Sequence, residues 1–363
     1  MQNVTKSAVD IMQAKINSGM ASARRLFDEI ETKAPTDAIV KATALNFENF
    51  GADEKSQRVM VGFGQEAMSV HKHALGQIAT RAGIPTTYLA ELVKSPQEWQ
   101  RELAAHMMRE HFGHDRSKYL VRSVQGEVRG FLSDRYRRID SRPLLHAFAE
   151  ECHKVGAVPV DGGITDTRVS VKAILPRVFE PVPGEALCLG IEWGNSDFGA
   201  AAHTIRPFIL RLWCLNGATM ENSMSQVHLG RQMNEDIELS QRTYAYDTKA
   251  SISALRDIVG GVLSAKKVDN LMDAIRNAEE AKVEWKTAKN LLSKRLLKGE
   301  LKSAEESFNG PDVVNLPPGN TMWRASNAVS WLAKNTEDPN RKLELERVAG
   351  ELVNGKIDRA EAA

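Results

Sequence analysis

The sequence predicts an α+β fold, a mainly antiparallel twisted sheet with packed helices and a helical C-terminal region, and three observations carry that prediction. Short apolar or alternating segments, bounded by Gly, Pro, Asp or Asn, crowd the stretch from Lys118 to Leu215. A single helix-patterned segment, Pro143 to Val155, separates the first strands from the rest, so the regular strand and helix alternation of a doubly wound nucleotide-binding fold is missing. Beyond Asp236, apolar residues recur at helical spacing through Leu255, Ile258, Val262, Leu271, Ile275, Trp285, Leu292 and Leu296. The chain therefore divides into an N-terminal mixed or helical region over residues 1–115, a central β-rich core with a basic sheet over 116–235, and a helical region over 236–363.

Taken in order, residues 1–33 are polar with scattered apolar positions such as Ile11, Ile16, Leu26 and Ile30, a pattern for one or two marginal helices or for a loosely attached arm. Val40 to Phe50 and Arg58 to Phe63 alternate as short strands. Ser69 to Ala82 is helical and stops at Gly83, Ile84 opens a second helix with Pro85 in its first turn, and Glu98 to His111 reads as a third. In the central block strands begin near Lys118, Val128, Arg168 and Ile205; Gly156 stops the intervening helix, while Asp161-Gly-Gly-Ile and Val182-Pro-Gly-Glu are turn signals. From Asp236 to Lys302, Lys and Glu are near balance, as in solvated helices that cover a sheet or join subunits. After the breakers Asn309-Gly-Pro and Asn315-Leu-Pro-Pro-Gly-Asn, Thr321 to Lys334 forms one more amphipathic helix, and the charged tail beyond Asp338 is expected to fray.

Composition narrows the function classes. With 363 residues and 42% hydrophobic side chains the chain can bury a large core, and its formal net charge of +1 leaves any affinity for a polyanion to local clustering. The three cysteines, Cys152, Cys188 and Cys214, are widely spaced and predict reduced thiols and no structural metal. No apolar run approaches a membrane span, and the polar start Met1-Gln-Asn-Val-Thr-Lys lacks the apolar core of a secretion signal, so the expectation is a cytoplasmic protein. His71-Lys-His and His111-Phe-Gly-His lack the one-turn spacing of a hydrolytic zinc site. Gly62-Phe-Gly-Gln is not completed into a phosphate loop, and no serine or cysteine stands in a recognisable nucleophile context. No cofactor and no catalytic residue is predicted.

What remains is a set of arginines among strand residues. If the strand begun at Val128 runs on through Asp134-Arg-Tyr-Arg-Arg-Ile-Asp140, Arg135 and Arg137 share one face, with Tyr136 and Arg138 on the other. Guanidinium forks suit phosphates and a tyrosine ring suits a stacked base. The same run read structurally is a turn whose aspartates pair with its arginines. Arg168, Lys172, Arg206 and Arg211 on neighbouring strands extend the basic surface or close internal ion pairs. The loop Gly190-Ile-Glu-Trp-Gly-Asn-Ser-Asp-Phe-Gly199 brings Trp193 and Phe198 beside small polar residues, either to approach a ligand or to connect a hairpin and pack the sheet.

These segments together resemble a known group. Gly130-Phe-Leu-Ser-Asp-Arg-Tyr-Arg-Arg-Ile-Asp, Arg168-Val-Ser-Val-Lys-Ala-Ile-Leu-Pro, Gly194-Asn-Ser-Asp-Phe-Gly, Arg206-Pro-Phe-Ile-Leu-Arg-Leu-Trp-Cys-Leu-Asn-Gly and Thr321-Met-Trp-Arg-Ala-Ser-Asn-Ala-Val-Ser-Trp-Leu are similar to the phage/plasmid-like domain-of-unknown-function proteins of bacteriophages and prophages. A weaker link runs from that group to the single-strand annealing superfamily, Red-beta and RecT-like, which implies a basic sheet and helix groove in an oligomeric ring.

The expectation is a single-stranded DNA binding and annealing protein of phage-type homologous recombination, acting as a homo-oligomeric ring or filament, with a strand-supplying exonuclease as partner and no membrane. Arg135, Tyr136, Arg137, Arg138, Arg168, Lys172, Trp193, Arg206 and Arg211 are the nucleic-acid-binding candidates. Annealing needs no nucleophile, metal or nucleotide, which suits the missing catalytic signatures. The alternatives are a small-molecule or nucleotide-processing enzyme with its pocket at the 190–199 loop, and a phage host-interaction or structural protein.

Overall fold

The computed structural model of the chain describes residues 2–48, 60–63, 66–220, 224–226, 240–310 and 316–355. The predicted strand ends at 49–50 and 58–59, the start of the long helical region at 236–239, the breaker residues 311–315 and the last residues of the tail, 356–363, lie outside them.

The fold is α+β, as the sequence predicts, and its strands form two sheets. Helix α1 (Gln2–Thr32) leads into β1 (Thr36–Lys41), β2 (Asn46–Glu48), β3 (Met60–Phe63) and β4 (Glu66–Val70); α2 (Lys72–Arg81), α3 (Thr86–Lys94) and α4 (Glu98–His114) follow, then the hairpin β5 (Lys118–Val124) and β6 (Glu127–Ser133). These strands make the first sheet in the order β1-β5-β6-β4-β3-β2, with β4 and β6 its parallel pair. Gln125 and Gly126 both take positive φ at the hairpin, as a two-residue turn matched to the strand twist requires. One face of this sheet buries Phe47, Val121, Val128 and Phe131 against Ile78, Leu89, Met108 and Phe112 of the three helices.

The second sheet holds β7 (Val158–Ile164), β8 (Val169–Ile174), β9 (Leu187–Asn195), β10 (His203–Arg211), β11 (Asn216–Thr219) and β12 (Met224–Gln226), after α5 (Ser141–Lys154). The basic segments predicted to share one sheet are therefore split, the Lys118 and Val128 strands in the first and the Arg168 and Ile205 strands in the second. Asp161-Gly-Gly is a second correction: it lies inside β7 and makes no turn. β7 is an edge strand, where Pro159 and the two glycines cost little, and Gly162 lets Leu26 of α1 come close. Val182-Pro-Gly-Glu does turn, closed by the Glu185 amide on the Val182 carbonyl.

Helices cover both faces of the second sheet. On one, Val171, Trp193 and Ile205 stand side by side and pack under α5 and α6 (Gln241–Val262). A little further along, Leu189 and Ile209 meet α7 (Ala265–Glu280). This is the sheet-covering role that the apolar stripes of 236–302 predict. On the other face α1 is a single long helix seated on β7, so close at Gly19 that an added Cβ would fall 2.2 Å from the Val160 Cα. It is an integral layer and not a loose arm. The remaining helices, α8 (Trp285–Leu292), α9 (Lys298–Asn309), α10 (Met322–Lys334) and α11 (Pro339–Val353), bury Phe308, Ala328, Leu345 and Leu352 together. The segment from Pro339 to Val353, expected to fray, is thus a docked helix. No helix among the described residues is long and apolar enough to cross a membrane.

Candidate nucleic-acid interface

Strand β6 ends at Ser133, because Asp134 and Arg135 turn there: the Tyr136 amide closes on the Ser133 carbonyl and the Ser133 hydroxyl accepts from the Arg135 amide. The run from Asp134 to Asp140 is therefore an extended connection between the two sheets, and the expected alternation of Arg135 and Arg137 against Tyr136 and Arg138 does not arise. Tyr136 is buried with Leu120 and Leu132, and burial raises its hydroxyl above the usual tyrosine range. Arg138 is buried against Asp37 at 3.2 Å and lies 4.5 Å from the ring centre of Tyr244 on α6. Arg137 stands 3.8 Å from Asp247, also on α6, and Arg135 keeps intermediate exposure.

Three cations of the second sheet, Lys172, Arg206 and Arg211, are satisfied inside the protein. Registers place Asp161, Lys172, Glu192 and Arg206 side by side on four successive strands, a row of alternating charge that neither single strand reveals. Helix α11 closes over it: Lys172 pairs with Glu346, Lys342 reaches Asp161 at 3.3 Å, and Thr219 donates to Glu192 at 2.5 Å. Burial opposes the charge on Lys172, yet Glu346, Glu192 and Asp161 outweigh it and keep the ammonium protonated. Burial, with Glu192 as a like-charged neighbour, still lifts Glu346 above the ordinary carboxylate range in spite of Lys172. Arg211 makes a bidentate pair with Glu185 at 2.6 and 2.7 Å, and Arg168 donates to the Ala200 carbonyl. Trp193 is fully buried, stacked on Phe148 and donating from Nε1 to His203 at 3.0 Å. The basic sheet expected from the sequence is thus a neutralised interior, and Tyr136, Lys172, Trp193 and Arg211 offer no surface to a strand of DNA.

A buried hub that the sequence reading missed joins the two sheets. Arg122 on β5 donates to Asp37 of β1, Asp140 at the start of α5 and the carbonyl of Asp197 after β9, each at 2.7 Å. Asp197 in turn accepts from the amide and hydroxyl of Ser141, capping α5 from a distant loop, while Asn195 donates to the Ile139 carbonyl and the Ser141 hydroxyl. Although the residue borders a cavity, its carboxylate is ringed by protein; desolvation pushes it up to about 6 in spite of Arg122.

Cations beside exposed aromatic surface lie instead on the first turns of α6, whose N-cap Ser240 accepts from the Thr243 amide. Arg242, Tyr246 and Lys249 fall one turn apart and so share a side of the helix. Tyr246 is 54% exposed, with the Arg242 guanidinium and the Lys249 ammonium each 5.6 Å from its ring centre. Tyr244 and Asp247 of the same turns point to the opposite side of the helix, where they hold Arg138 and Arg137. The signal of the exposed side in the sequence was Arg242-Thr-Tyr-Ala-Tyr-Asp-Thr-Lys249, hidden by the charge balance of the longer region. Compared with protein-family models, with curated proteins and with solved structures, the chain finds no match.

Proposed function

We propose that the protein binds single-stranded DNA on the exposed side of the first turns of α6 and promotes annealing as a homo-oligomer. The observation that carries this reading is Tyr246, an exposed ring flanked by Arg242 and Lys249. Stacking rings between cations are what sequence-tolerant strand binding uses: the rings take base faces, the cations take phosphates, and base edges stay free to pair. Of the expected Arg135 to Arg138 run, Arg135 and Arg137 keep intermediate exposure and stay in this proposal as flanking phosphate contacts, while buried Arg138 and the sheet cations leave it. The resemblance to phage and prophage proteins points the same way and implies a recombination exonuclease as supplier of single strands.

The test is electrophoretic binding of the full chain to a labelled oligonucleotide, with and without its complement. Retarded single strand and accelerated duplex formation are expected, both reduced by Arg242→Gln with Lys249→Gln. A chain that retards no oligonucleotide at low salt sinks the reading.

A further inference from the structure

Beside the Arg122 and Asp197 hub lies a cavity of about 400 Å³, within the range of small-molecule sites. It opens between the end of α1, the start of α5, β6, the turn before β8 and the loop after β9. Four basic side chains from four of these elements reach it: Lys33, Arg129, Arg142 and Arg168. The acidic groups on its walls divide into two sets. Asp140 and Asp197 face inward, held by Arg122 and by the Ser141 amide and hydroxyl. Glu29 and Asp166 pair with Lys33 and Arg129 at the rim, where Asp166 is 62% exposed, while Arg129 is held in place from behind by Glu127 at 3.0 Å. Rim pairs in contact with water hold their partners weakly, so an entering anion can displace them. Arg142 is itself 55% exposed, on Glu31. Ile30, Ile164 and Phe198 supply apolar surface to the same lining.

We propose that this cavity binds a small phosphorylated ligand of mononucleotide size, its phosphate on Lys33, Arg129, Arg142 and Arg168 and its apolar ring system against Ile30, Ile164 and Phe198. Guanidinium forks recognise phosphate by paired, charge-assisted hydrogen bonds, and apolar surface suits a base. The hub supplies the stiffness: α5 and the Asp197 loop are fixed on the first sheet through Arg122, so the walls are in place before the ligand arrives. The site is separate from the α6 surface and stands or falls independently of it.

The experiment is calorimetric titration of the full chain with adenosine 5′-monophosphate, thymidine 5′-monophosphate, adenosine and inorganic phosphate. One site per chain is expected for at least one monophosphate, with adenosine at least tenfold weaker. Arg142→Gln and Lys33→Gln, whose present partners are solvent-facing glutamates, should each weaken the monophosphate about tenfold and leave the melting temperature unchanged. Ala34→Trp, at the cavity mouth between α1 and β1, should block binding by bulk without removing a charge. Arg242→Gln should leave all of these titrations as they are. No saturable binding of either monophosphate at millimolar concentration overturns the proposal. So does adenosine binding as tightly as its monophosphate, or full affinity in all three folded variants.

Discussion

At the scale of single residues, exposure separates aromatics that pack from those that can stack. Tyr246→Ala removes a ring that is 54% exposed, so it should lower affinity for single-stranded DNA by about 1–3 kcal/mol with the melting temperature nearly unchanged. Trp193→Ala empties a fully buried site and should cost about 3–5 kcal/mol of stability. Paired binding and melting curves of the two variants check both, and early melting of Tyr246→Ala would place its ring in the core instead. The sequence reading could not make this distinction, because Tyr136 and Tyr246 each stand beside arginines and only tertiary packing shows that Tyr136 lies under Leu120 and Leu132. Asp197 supplies a second prediction. Its folded value of about 6 exceeds the ordinary 3.8, so between these pH values the folded chain holds more protons than the unfolded chain. The group's contribution to stability is therefore present at pH 4 and lost as pH rises through 6, by at most about 3 kcal/mol. Asp197→Asn keeps an oxygen to accept from Ser141 and has no charge to desolvate. Urea midpoints from pH 4 to 7 should fall less steeply in the variant than in the parent; parallel profiles would contradict the shift.

At the scale of elements, periodicity was legible and register was not. The alternation of Lys118 to Val124 and the helical spacing of Leu255, Val259 and Val262 both predict the observed element, since each pattern lies within one segment. Charge neutralisation lies between segments: Lys172 looks like a free cation until β7, β9 and α11 place Asp161, Glu192 and Glu346 around it. Helix α11 was undervalued for the same reason, its exposed charges suggesting a tail while Glu346 anchors it inside. A buried pair of this kind costs most when broken. Lys172→Met alone should destabilise by about 3–5 kcal/mol by leaving buried Glu346 without its ammonium partner, whereas Lys172→Met with Glu346→Met should recover much of the loss. Thermal melts of both variants measure the difference, and equal losses would mean that the row has no coupled role in docking α11.

For the whole molecule, the two sheets are joined through Arg122, the Asp134 to Asp140 connection and the loop after β9, and α6 packs its Tyr244 and Asp247 side against that same connection. The opposite side of α6, with Tyr246 as its most exposed ring, spans only a few nucleotides, and the sheet cations that would have lengthened it are occupied inside. If the proposed strand binding holds, a single chain grips a strand weakly and useful affinity comes from repetition, each bound copy raising the effective concentration of the strand for the next. Affinity should accordingly rise steeply with oligonucleotide length, and Arg242→Gln with Lys249→Gln should flatten the salt dependence by about 0.7 in logarithmic slope per lost contact, multiplied by the number of chains on the strand. Sedimentation velocity on oligonucleotides of increasing length, at several salt concentrations, reads both quantities in one series. Stepwise growth of the complex with strand length is the expected result. A monomer both free and on long strands at micromolar concentration, with affinity independent of length, would leave the chain a lone strand binder and remove assembly from the mechanism of annealing.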